Sequence, residues 1–252
     1  MKNIFYLSLL VLSMTLFSEA ATRGDVKVVE ASENIRYLSQ KMVKDYLLFY
    51  LNQNKIKLKS ELENTLKHLN DNLRIIAMTT KDSDTKDVLE FLAYSKDQIE
   101  EIFKGEADNE KVVLMMDYSE ILLEGADSIA TAHTYDFSSE EKMLMVTKEM
   151  EYLLQRIIKY YMALNAGFSN PTNQEQLLNS IADMQKNIEQ VNRYSYDNEL
   201  LETQNEMNRS WRANKHFFMQ SESLFIPMLM LTSVKYMEDV IGEIALYHTQ
   251  NL

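Results

Sequence analysis

The chain has 252 residues, no cysteine and a formal net charge of −12. That combination excludes disulfide scaffolds, thiolate metal sites and c-type haem attachment, and it argues against nucleic acid or an anionic membrane surface as a partner. Five glycines and two prolines leave strand-type punctuation nearly absent. Met, Leu, Lys, Glu, Gln and Asn dominate instead, so the composition predicts an all-α chain of long helices.

Residues 1–20 have the layout of a signal peptide. Lys2 supplies a positive start, Ile4 to Phe17 an apolar core broken only by Ser8, Ser13 and Thr15, and Ser18 and Ala20 the small residues of a cleavage site. Cleavage is expected after Ala20, which removes Lys2 and Glu19 together and leaves the mature charge unchanged. The expected location is the periplasm. The alternative is a retained N-terminal anchor, although the apolar core is short for a span of about 20 residues.

The first helix is predicted over residues 26–51. Its apolar seam, Val28, Ala31, Ile35, Leu38, Met42 and Phe49, alternates steps of three and four and is broken by Asp45. A second helix is expected over 57–78, with Leu62, Leu66, Leu69, Leu73 and Ile76 on one face. The third, over 86–104, follows three N-cap candidates, Asp82, Ser83 and Asp84, and ends at Gly105, which suits a C-terminal cap. The fourth covers 109–132. Ser138 and Glu141 form a capping-box signal for a fifth helix reaching residue 166 with the seam Met143, Val146, Met150, Leu153, Ile157, Tyr160 and Leu164. Thr172 and Glu175 suggest a second capping box for the sixth helix. The seventh is expected over 198–219, and the eighth over 224–249 with Pro227 in its first turn.

The second half repeats the first at a constant offset of 115. Tyr37, Leu38, Gln40, Lys44 and Tyr46 meet Tyr152, Leu153, Gln155, Lys159 and Tyr161; Leu62, Asn64 and Asn72 meet Leu177, Asn179 and Asn187; Ile129, Ala130 and His133 meet Ile244, Ala245 and His248. The third and seventh helices are expected to match only after a small slip. The predicted architecture is two tandem antiparallel four-helix bundles, residues 21–136 and 137–252.

Catalytic and metal signatures are missing from this sequence. No histidine has a glutamate three residues before it, no His-x-x-x-His pair occurs, and there is no Gly-rich phosphate loop or nucleophile elbow. His133 and His248, matched by the duplication, are either a metal pair across a pseudo-symmetry axis or helix C-terminal residues that complement the dipole; the second is the simpler reading. The sixteen methionines are read as core filling, and Glu140 and Glu141 as first-turn charges. No enzyme activity, cofactor or metal is expected.

One stripe carries more than packing. Arg36, Ser39 and Gln40 are spaced i, i+3, i+4 beside the first seam, and Lys41 follows. A planar guanidinium fork with neutral donors suits a small planar oxyanion; the alternative is an arginine paired to a carboxylate of a neighbouring helix. The run from Arg36 to Lys44, with Tyr46 and Leu47, resembles the PilJ-type domain, the N-terminal sensory domain of type IV pilus methyl-accepting chemotaxis transducers, which is related to the periplasmic domain of nitrate/nitrite sensors. The resemblance implies a four-helix sensory bundle whose opening arginine binds an anion where the first helices of two protomers meet. On that basis Arg36, Ser39, Gln40 and Lys41 are expected to bind a small, nitrate- or nitrite-like oxyanion, with a homodimer through the first helix or a membrane receptor as partner. Lys41 departs from the family pattern, and Glu33 stands one turn from Arg36. In the second repeat Glu151 and Leu154 replace Arg36 and Ser39, so that repeat is not expected to bind the same way. The alternative function is a structural or adaptor protein of the cell envelope with no small-molecule ligand.

Overall fold

The computed structural model describes residues 23–52, 56–221 and 225–252; the expected signal peptide, part of the break after the first helix and the expected start of the eighth lie outside them. The described residues form eight α-helices and no strand: α1 (Arg23–Leu51), α2 (Ile56–Thr79), α3 (Ser83–Phe103), α4 (Asn109–Ala132), α5 (Ser139–Asn165), α6 (Pro171–Arg193), α7 (Asn198–Phe218) and α8 (Pro227–Gln250). None of them is long and apolar enough to cross a membrane.

Side-chain caps set most of the helix starts. The Asp82 carboxylate accepts from the Thr85 amide at 2.7 Å, and Asp108, Asp197 and Asn170 do the same for α4, α7 and α6. The capping box at Ser138 is complete, with Glu141 reaching back to the Ser138 amide at 2.7 Å. The box expected at Thr172 is not used. Asn170 caps α6 two residues earlier and Pro171 takes the first position, where its missing amide costs nothing. Gly105 is not the left-handed cap either: α3 closes on Lys104, whose amide returns to the Glu101 carbonyl in ordinary right-handed geometry. The one positive-φ residue among those described is Gly167 (98°), which turns the chain out of α5.

The eight helices form two four-helix bundles. In each, the first helix packs on the second and fourth, and the third closes the ring. The bundles meet through α1 and α5. These two helices run parallel, since contacts rise along both together: the Arg36 guanidinium lies 4.3 Å from the centre of the Tyr152 ring, and Tyr50 and Phe168 meet ring to ring at 5.9 Å further on. Ile35, Met42, Leu47, Leu154, Ile157 and Ile158 are fully buried around this junction. Each such side chain contributes about 1.5–3 kcal/mol by leaving water.

The duplication extends further than the sequence pattern suggested. α3 and α7 need no slip: both bounds, the caps Asp82 and Asp197, and the pairs Ser95/Ser210 and Phe103/Phe218 keep the offset of the other helices. The histidines are duplicated in role as well. His133 Nδ1 lies 2.9 Å from Asp25 of α1, and His248 Nδ1 lies 2.6 Å from Glu140 of α5, so each ring ties the end of a fourth helix to the start of a first. The opposite ring nitrogens meet Thr85 Oγ1 (3.1 Å) and the Tyr196 hydroxyl (2.9 Å). Each histidine is thus a clip inside its own bundle, and Glu140 is a clip partner more than a free first-turn charge. No group of three metal-ligating side chains occurs among the described residues.

Candidate functional site: the seam between α1 and α5

The four residues of the expected anion site do not converge. Arg36 is in the seam. Its Nη1 donates to both carboxylate oxygens of Glu33, at 2.8 and 3.0 Å, and its Nη2 lies 3.5 Å from Asp127 of α4. The guanidinium is stacked on Tyr152 of α5. Ser39 is fully buried and donates to the Arg36 backbone carbonyl at 2.7 Å. Gln40, also fully buried, donates to Ser39 Oγ and to the Ser119 carbonyl of α4. Lys41 turns to α2, where it meets Thr65 at 3.3 Å and pairs with Asp45. Lys44 pairs with the same carboxylate at 3.0 Å, so the residue that breaks the first seam is a buried counterion for two lysines.

The physical reason is the enclosure of α1. With α2, α4 and α5 packed around it, a stripe that would face solvent or a second protomer is inside the molecule. α5 of the same chain packs along the first helix, where the resemblance implies a second protomer.

Glu33 is 5% exposed. Burial pushes its carboxyl up from the usual carboxylate range, with Glu149 and Asp127 adding to the rise, while Arg36 pulls it down. Arg36 Nε is buried with no hydrogen-bond partner.

A second charged knot lies one turn further along the seam. Glu120 of α4 accepts from Lys159 Nζ at 2.5 Å and from Arg156 Nη2 at 2.7 Å, both from α5. Lys159 also reaches Ser119 Oγ at 3.3 Å, and its ammonium lies 4.2 Å from the centre of the Tyr160 ring. The lysine is 0% exposed; burial pulls its amine down to about 8 against the attraction of Glu120. Burial pushes Glu120 up, but Lys159 and Arg156 outweigh it and hold the carboxyl below its usual range.

On the other side of the seam lies Glu238 of α8, which is not the duplicate of Glu120. It accepts from Gln155 of α5 and, at 3.4 Å, from the Tyr37 hydroxyl of α1. Burial raises its carboxyl and the nearby Lys44 opposes that rise. Lys44 and Lys159, matched by the duplication, thus each act on a carboxylate from the other bundle's fourth helix, Lys159 by a direct ion pair and Lys44 from further off. The carboxylates themselves are not duplicated, since at the offset of 115 Glu120 meets Lys235 and Glu238 meets Leu123, so sequence carried no signal for them.

Arg36, Asp127, Tyr152, Arg156, Gln176 and Asp183 line a cleft of about 330 Å³ at the edge of the seam. It holds two guanidinium groups, each already paired to a buried or half-buried carboxylate of the chain. No family model, curated protein or solved structure matches the chain.

Proposed function

We propose that the protein is a non-enzymatic, exported binding protein of the sensory type, in which two bundles are fused into the equivalent of a sensor dimer. The observation that carries this reading is the parallel packing of α1 on α5, the helix bearing the PilJ-like run against its own duplicate. Sensors of that kind form such an interface between protomers; here it lies within one chain. The stacking of Arg36 on Tyr152 across this packing supports the reading, with Glu33 supplying the oxyanion. The seam then acts as a fixed coupling element, and an external oxyanion binds only when Glu33 gives up its place. A membrane receptor remains the partner through which such a module would signal.

The second reading, an envelope adaptor without a small ligand, is favoured by the internal ion pairs that Arg36, Arg156 and Lys159 each make with a carboxylate of the chain. Thermal melting with nitrate, nitrite and chloride separates the two, using the native protein and Glu33→Gln. In the sensory reading, Glu33→Gln frees the guanidinium, and nitrate at 100 times its Kd stabilises that variant by about 2.7 kcal/mol, with a smaller shift in the native protein. Equal melting temperatures in all three salts for both proteins would remove the oxyanion site and leave the adaptor reading.

A further inference from the structure

A groove remote from the seam has a different character. It lies between α2 and α3, holds about 460 Å³ and is lined by Lys59, Lys67, Lys96 and Lys104 over a floor that includes Leu66 and Phe103. Glu63 and Glu100 are its acids, so the lining carries a surplus of two positive charges on a chain of net charge −12. Neither Lys59 nor Lys67 has an ion-pair partner among the described residues; Lys96 is turned to Asp97 and Glu100, and Lys104 to Glu101.

The duplication shows what this space accommodates. At the shared offset, Lys96 corresponds to Trp211, Asn70 to Gln185 and Phe103 to Phe218. In the second bundle the indole of Trp211, 3% exposed, is buried beside α6 and donates to Gln185 Oε1 at 2.9 Å; Lys215 meets the same oxygen at 3.1 Å. In the first bundle the corresponding amide, Asn70, is one methylene shorter and exposed, and the side chain in place of the indole is a lysine paired along its own helix. The Asn70–Lys96 end of the groove, which the second bundle fills with its indole, is open in the first and edged by ammonium groups, while the Phe103 end has an open counterpart beside Phe218. The groove's volume falls in the range of small-molecule sites.

We infer that the α2–α3 groove binds a small aromatic carboxylate, its ring in the place that Trp211 fills in the second bundle and its carboxylate between Lys59 and Lys67. The ring covers Leu66, and the carboxylate supplies the counterion those lysines lack. This assignment does not depend on Arg36.

Indole-3-acetate is the probe, because it joins the ring found in the second bundle to a carboxylate. Titration calorimetry of the full chain should show saturable binding of one molecule per chain, with indole alone and acetate alone each weaker by about tenfold or more. Lys67→Glu, a change at an exposed position, should weaken binding by about tenfold or more while leaving the melting temperature in place. The double change Lys96→Trp with Asn70→Gln, which copies the second bundle's plug, should abolish it. Absence of saturable binding at millimolar probe, or binding that survives Lys67→Glu unchanged, would overturn the assignment. Should the plugged variant fail to fold, Lys67→Glu alone decides.

Discussion

Replacing Glu120 by alanine should destabilise the protein by about 3–5 kcal/mol, because the buried Lys159 loses its counterion and Arg156 loses its main partner. Lys159→Met should cost far less. It removes the buried charge together with the need to pair it, fills nearly the same space, and leaves Glu120 bonded to Arg156. Urea unfolding of the two variants beside the native protein measures the difference. The sign of the pH effect also follows. Lys159 is pulled down to about 8 in the folded chain, whereas an exposed lysine titrates near about 10.4. Between those values the unfolded chain binds a proton that the folded chain has released, so this group makes stability rise with pH across that window. Its contribution is lost as pH falls through about 8. The native protein should therefore gain stability relative to Lys159→Met between about pH 8 and pH 10. A constant difference across that window would show that the lysine is not held in a dry environment.

Arg36→Ala is expected to have the second largest effect, a loss of about 3 kcal/mol at neutral pH. The substitution removes the only cation among the described residues within ion-pair distance of the buried Glu33 carboxylate, and the ring contact with Tyr152. Asp127 and Glu149 then act on Glu33 without opposition. The loss should shrink as pH is lowered, since a carboxyl already raised by burial takes up a proton readily once its arginine is gone. Glu33→Gln should cost less at the same pH, because Arg36 keeps Asp127 and Tyr152 as partners. Urea titrations of both variants at neutral and mildly acidic pH would check the order and the trend. Equal costs for the two changes would mean that Arg36, and not the buried carboxylate, needs the pair.

Much of the fold was legible because the signals for it are local. The alternating seam put Ile35, Leu38 and Met42 in the core, where they are buried, and the Ser138 and Glu141 spacing marked the start of α5. Where two local signals competed, the stronger backbone constraint won. Asn170 followed by Pro171 starts α6, since proline's fixed backbone angle suits the first helical position, and Thr172 is left inside the helix. The site was less legible because it depends on what surrounds α1. Periodicity identifies one apolar face of a helix, but α1 is enclosed by three neighbours, so Ser39, Gln40 and Asp45 are buried on faces that a two-sided helix would expose. Lys159 shows the same limit. A lysine between apolar residues reads as a surface position until Glu120 arrives from 39 residues away in the chain. The slip expected between α3 and α7 had a comparable origin: Lys96 and Trp211 share no chemistry, yet they occupy matching places in two helices with matching bounds.

The two bundles are joined by the packing of α1 on α5 within one chain. The chain has no cysteine, so a single pair can be introduced at Tyr50 and Phe168, where the rings meet at 5.9 Å along the seam. Treatment of the Tyr50→Cys, Phe168→Cys variant with a short bifunctional maleimide, followed by sizing under denaturing conditions and peptide mapping, tests the junction directly. A link between the two positions within one chain is the expected result. Links formed only between chains, or single labelling of both cysteines with no link, would contradict it.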